Sequence, residues 1–186
     1  MAHTLMRIFN VLLTQMKIMG IKIVHGNRFL AGKLPYFIGK VIIEMDKNSK
    51  LHYGNHVKIQ NGTRIGVRKS GKVQIGDRCS INIGTLITCH NEIVIGEYTQ
   101  IGPYCQIYDH DHNYYSISTF DAQEFNVAPV KIGSHVWLGG GCIILKGSTI
   151  GDNCVVAAGS VVKGNIPANS MVYCKKEQVI KPIIRN

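Results

Sequence analysis

IGSHVWLGGGCIILKGSTIGDNCVVAAGSVV, residues 132–162, places an aliphatic side chain at 132, 138, 144, 150, 156 and 162. The spacing is six throughout. A helix repeats every 3.6 residues and a strand every two, so neither alone produces it. A six-residue period fits a strand so short that a turn follows at once. Three such strands, each turned by about 120°, bring the chain back to its starting point, and stacked turns pair each strand with the one a full circuit earlier.

The same register runs through Ile75, Ile81 and Ile87 and resumes at Ile95, Ile101 and Ile107 after two extra residues. It restarts at Ile132, and Ile59 and Ile65 fit it more loosely. Glycine follows the aliphatic at 76, 96, 102, 133, 139 and 151, where a larger side chain would crowd the turn. Four residues after the aliphatic comes a small side chain: Cys79, Thr99, Cys105, Cys142, Ser148, Cys154 or Ser160. No helical pattern of the length an α/β fold needs appears after about residue 40. The expected fold is all-β, a parallel β-helix over 41–170. A short helical or irregular segment precedes it at 1–40, and a tail follows at 171–186.

Hydrophobic residues make up 45% of the 186, enough for one domain with a sizeable core. Twenty-one Lys and Arg against 11 Asp and Glu give a net charge of +10, which attracts polyanions. The basic residues are scattered and form no nucleic-acid motif, so no nucleic-acid partner is expected. The six cysteines include no CxxC pair. Four of them share the small-residue slot, so they read as packed thiols in a reducing cytoplasm rather than as ligands or disulfides.

The N-terminal MAHTLMRIFNVLLTQMKIMGIKIV is interrupted by Arg7, Lys17 and Lys22. It is too short in apolar run to span a membrane and lacks a small-residue cleavage site. Phe9, Leu12, Leu13, Met16 and Met19 lie near helical spacing, which predicts a short amphipathic helix packed through them on the domain's end or on a partner subunit. Its basic flanks make peripheral membrane contact the alternative, at the membrane's inner face.

Between Ile107 and Ile132 the repeat gives way to YDHDHNYYSISTFDAQEFNVAPVK, residues 108–131. A solenoid admits such an insertion as a loop leaving one face. This one is polar, aromatic and rich in histidine, so function is sought there.

The segments IGEYTQIGPYCQIYDHDH (95–112) and VKIGSHVWLGGGCIILKGSTIGDNCVVAAGSVV (130–162), followed by Ile166-Pro167, resemble the hexapeptide-repeat acyltransferases. The likeness is to the sugar O-acetyltransferases, such as those of galactoside, maltose, capsule and O-antigen, and covers roughly residues 55–170. It implies a left-handed β-helix, acetyl-CoA as donor with no metal, and a histidine general base in the extruded loop. It also implies a homotrimer whose sites lie between subunits. The chemistry asks for such parts. A sugar hydroxyl needs a base as it attacks the thioester, a task suited to imidazole, and the tetrahedral oxyanion needs a donor such as a bare glycine N–H.

By the resemblance, the base falls 17 residues after Ile95, at His112. His110 is then a supporting or acceptor-contacting residue, and Asp109 and Asp111 either orient an imidazole or are plain loop acids. Asn82 matches an asparagine lining the acceptor site, with a turn residue as its plain reading. Trp137 is expected beside the donor, with simple wall packing as its plain reading, and Gly139 and Gly140 are expected to give the N–H that contacts the thioester, Gly140 as oxyanion donor, although glycine there also suits the turn. Ala158, Ser160 and Lys163 match the pantetheine channel; for the first two, coil packing is the alternative. The C-terminal MVYCKKEQVIKPI departs from the family's pattern, leaving Lys175 and Lys176 to meet the CoA phosphate or simply to be solvated.

Three rivals stay open. N-acetylation of an amino sugar or nucleotide sugar needs the same base. A zinc carbonic-anhydrase-like β-helix would draw on His90, His110 and His112. A non-catalytic β-helix scaffold would fit the altered C-terminus.

Overall fold

The computed structural model describes residues 2–113 and 125–175, with side chains from residue 9 onward. A helix, α1 (Ala2–His25), leads through one 3-10 turn (Gly26–Arg28) into short strands that stack as three parallel sheets of seven, seven and six. The first sheet runs from Phe29–Ala31 to Asn165–Ile166 and the second from Tyr36–Phe37 to Met171–Val172. The third runs from Ile42–Met45 to Val161–Val162. The chain visits them in turn, so every strand pairs with the one a full circuit away.

The pairing explains the period. Ile132 aligns with Ile150, Leu138 with Val156 and Ile144 with Val162, each 18 residues on, which is three hexads. All six are at most 2% exposed, and they form the ladders that fill the solenoid. Burying one such side chain contributes roughly 1.5–3 kcal/mol. The small-residue slot is buried too: Cys79, Thr99, Cys105, Cys142, Ser148, Cys154 and Ser160 expose no more than 1%. Burial pushes the Cys79 thiol up to about 11, so it stays protonated and inert. Gly139 shows why glycine follows the aliphatic, because a Cβ there would stand 2.5 Å from the Ala158 nitrogen.

Two expectations change. The coils begin at Phe29 rather than near 41, because the early circuits are longer: Leu51 pairs with Val73, 22 residues on, and Val73 with Ile93, 20 on. The extra residues sit at one corner, where the third sheet hands over to the first, and they break the six-residue count without breaking the stack.

On its own chain the helix, too, packs by another face, and at 24 residues it is longer than expected. Phe9, Leu12, Leu13, Met16 and Met19 are all exposed, whereas Thr14 (1%) and Ile18 (5%) are buried and Ile21 packs against the core. Thr14 Oγ accepts the Phe37 N–H at 3.0 Å, satisfying a donor on the terminal coil that no further strand can reach. No helix among the described residues is long and apolar enough to cross a membrane.

Candidate active site

The histidines of the insertion gather at the corner between the third and first sheets. This corner is occupied in successive circuits by residues 68–71, by 90–91, by the insertion after Tyr108, and by 145–148. At the insertion the chain forms an antiparallel hairpin in which His110–His112 pairs with Phe125–Val127, His112 lying opposite Phe125. Residues two apart on a strand share a face, so His110 and His112 look the same way and Asp111 the other. Asp111 Oδ1 meets Lys146 Nζ at 2.9 Å, and that ammonium holds its carboxyl below the usual range. The side chains on the first face gather around Phe125. Its ring centroid lies 4.3 Å from that of His90, 5.0 Å from His110 and 4.8 Å from His112, with Lys69 Nζ 5.7 Å away.

Asp109 anchors the hairpin. Its side chain has no exposed surface. It accepts the His90 N–H at 2.8 and 3.1 Å, the Asn91 N–H at 2.6 Å and the Cys89 thiol at 3.3 Å. Its Oδ1 also faces His110 Nδ1 at 3.2 Å. Burial works to raise this carboxyl, but the hydrogen bonds from His110, the two N–H groups and the thiol outweigh it and leave it below the ordinary value. With Nδ1 directed at a carboxylate, the His110 ring has Nε2 as the nitrogen turned away from Asp109. His90 lies against His110, with ring centroids 4.1 Å apart, and its buried Nδ1 has no partner among the described residues. Burial, then the neighbouring His110, lowers the His90 pKa, favouring the neutral ring.

The other predicted residues fall into separate groups. Lys163 is exposed and its charge reaches Asp111, so it belongs to the hairpin's corner. Asn82, Gly139, Gly140 and Ala158 lie at the next corner, between the second and third sheets. Gly140 precedes Leu145, at the hairpin's corner, by five positions, with the third-sheet strand Ile143–Ile144 between them. Trp137 lies outward on the second sheet, 57% exposed, so it does not pack as wall within the chain. Ala158 is exposed. Lys175 is exposed, and Lys176 lies outside the described residues.

Several assignments need correcting. Ser160 is 1% exposed and fills the inward slot, so coil packing describes it and channel lining does not. The Gly139 N–H is donated to Val156 O at 2.7 Å, which leaves it nothing to offer an oxyanion. Gly140 N–H has no acceptor among the described residues. Asn82 Oδ1 accepts the Ile83 N–H at 2.9 Å, so its carboxamide caps its own turn. Among the described residues no three His, Cys, Asp or Glu side chains converge as a metal site would require. Sequence reasoning passed over Phe125 and Lys146 and left the role of Asp109 undecided. The one pointer was the two-residue insertion at His90-Asn91, a circuit before the DHDH run, which supplies the N–H groups that Asp109 binds.

Comparison with known proteins agrees with the fold. The family model described as "Bacterial transferase hexapeptide (six repeats)" matches residues 129–164. A probable acetyltransferase of Mycobacterium tuberculosis is 28% identical over 166 residues, 83% of this chain. The chain spans only 55% of that relative's length. The putative lipopolysaccharide biosynthesis O-acetyltransferase WbbJ of Escherichia coli is 28% identical over 142 residues, 72% of each chain. Among solved structures, a variant of AntD, an N-acyltransferase from Bacillus cereus, superposes with a TM-score of 0.70 at 21% identity. It covers 89% of both chains, and was solved with dTDP-4-amino-4,6-dideoxyglucose and coenzyme A. With six-residue coils wound into three parallel sheets and a histidine-bearing hairpin at one corner, the chain shares its fold with these proteins, and its residues 129–164 carry the hexapeptide repeats of the bacterial transferase model.

Proposed function

We propose that this protein is an acetyl-CoA-dependent O-acetyltransferase that acetylates a sugar hydroxyl in the synthesis of a surface polysaccharide. The observation that carries the reading is the hairpin. It interrupts an otherwise regular solenoid and presents His110 and His112 on one face, anchored by a carboxylate with no exposed surface. His112 acts as general base, taking the acceptor's proton as its oxygen attacks the thioester carbonyl. Gly140 N–H, uncommitted within the coil, receives the charge that develops on the carbonyl oxygen. Lys163 and Lys175, both exposed, attract the phosphates of CoA.

Because His112 and Gly140 stand at different corners of one chain, the site is completed between copies in a homotrimer. The outer face of the third sheet supports this, with Leu86, Gln106, Ile143 and Val161 in one row, Val161 45% exposed. Light scattering should give three chain masses. The reaction takes place in the cytoplasm, where acetyl-CoA is made.

Release of CoA thiol from acetyl-CoA, measured against sugars, amino sugars and oligosaccharides, tests the activity. N-acetylation is the second reading, favoured by the structural likeness to an enzyme solved with an amino-sugar nucleotide. Turnover confined to amino sugars would establish it in place of O-acetylation.

A further inference from the structure

The helix α1 has two apolar faces, and the chain covers one of them. Thr14, Ile18 and Ile21 meet the terminal coil. Opposite them, Phe9, Leu12, Met16, Met19 and Ile23 are 60%, 59%, 66%, 61% and 79% exposed. At 100° per residue these five fall within an arc of about 80°, a continuous stripe along the helix. Leu12, Met16 and Met19 line a shallow depression with Gln15 and Lys22. Isolated exposed apolar residues are ordinary; an aligned row of five is not.

Charge decides what covers it. The first 43 residues contain no Asp or Glu, the first acid being Glu44. They contain six strong bases: Arg7, Lys17, Lys22, Arg28, Lys33 and Lys40. Packing α1 on α1 of a second copy would oppose like charges. Packing it elsewhere on a copy would set it against a chain that carries +10 and only 11 acids in all. An anionic surface meets both features, taking the apolar stripe into its acyl boundary and the bases among its head groups.

We infer that α1 docks the protein, lying flat, on an anionic lipid bilayer through Phe9, Leu12, Met16, Met19 and Ile23. The helix is too polar to span, so the attachment is peripheral and reversible. This inference is independent of the catalytic reading, since no residue of the hairpin takes part.

The test is co-sedimentation of the purified full chain with vesicles. Binding should be firm to phosphatidylcholine containing about 30% phosphatidylglycerol and slight to phosphatidylcholine alone. It should fall at least about tenfold between roughly 0.05 M and 0.5 M salt. Met16→Glu combined with Met19→Glu should cut binding to the mixed vesicles by about tenfold or more. Both positions are more than 60% exposed, so melting temperature and mass by light scattering should not change. No binding by the wild type to mixed vesicles at low salt would overturn the inference. Undiminished binding by the double variant would show that charge alone acts, and a changed assembly mass would show that a second copy covers the stripe; either result also overturns it.

Discussion

His110 Nδ1 faces Oδ1 of Asp109 at 3.2 Å, and that carboxylate is wholly buried while also holding the N–H groups of His90 and Asn91 from the preceding circuit. One carboxylate therefore fastens two successive coils and fixes an imidazole. Removing it takes the acceptor from two part-buried N–H groups and from the buried Cys89 thiol, and an unsatisfied buried donor costs about 1–3 kcal/mol. Asp109→Ala should lower stability by at least that much. Asp109→Asn, which keeps an acceptor oxygen, should lose less stability yet still reduce turnover about tenfold by freeing His110. Chemical denaturation alongside steady-state kinetics separates the two effects. Wild-type stability in Asp109→Ala would contradict the anchoring role.

Acidity should loosen the same corner through His90. Burial lowers its folded pKa below the unfolded value of about 6.5. Below that pH the unfolded chain therefore binds more protons than the folded one, and stability is lost as pH falls. The Asp109 carboxyl, held below its ordinary value, contributes stability that is present above about pH 4 and lost only under stronger acid. Thermal melts should thus decline as pH falls below about 6.5, and His90→Leu should flatten that part of the curve. An unchanged slope in the variant would assign the loss to another group.

Adjacent glycines should behave differently. A Cβ on Gly139 would stand 2.5 Å from the Ala158 nitrogen, so Gly139→Ala must displace backbone and should destabilise the coil. A Cβ on Gly140 would meet the Pro103 ring at 3.2 Å, which a small shift relieves. Gly140→Val should fold, with its branches crowding the free N–H, and lower kcat by about 10²–10³. Near-normal turnover in folded Gly140→Val would remove the oxyanion assignment.

Acetyl-CoA binding should weaken with salt, as expected for phosphates meeting basic side chains. Lys163→Glu should weaken it more than Lys72→Glu, because Lys163 shares the corner of the hairpin while Lys72 opens a strand of the first sheet. Calorimetry on both variants decides this. Equal losses would indicate attraction to the net charge alone.

The six-residue count revealed the three-sheet stack because inward aliphatics and small corner residues are dictated locally, as the Ile132, Ile150 and Ile166 ladder shows. It misjudged the start of the coils because extra corner residues, such as 68–71, change the count while leaving the pairing intact. The face by which the helix meets its own chain was misread because both its faces are apolar, and the outward stripe is the richer one. In the candidate site, His110 and His112 stood out from the insertion itself. The cradle of Asp109 and the place of Phe125 did not, since they depend on contacts with the previous circuit and across the hairpin. Nor does a hexad pattern show that the Gly139 N–H is committed to the next coil.

The central claim is that His112 takes the proton from the acceptor. It is tested most directly by measuring kcat for acetyl-CoA thiol release, with the best acceptor of the panel, in the wild type, His112→Ala and His110→Ala. His112→Ala should lose about 10²–10⁴ in kcat and His110→Ala about tenfold. Acetyl-CoA affinity and assembly mass should be unchanged in both. Full turnover by His112→Ala, with activity abolished in His110→Ala, would contradict the claim and move the base to the imidazole that Asp109 holds.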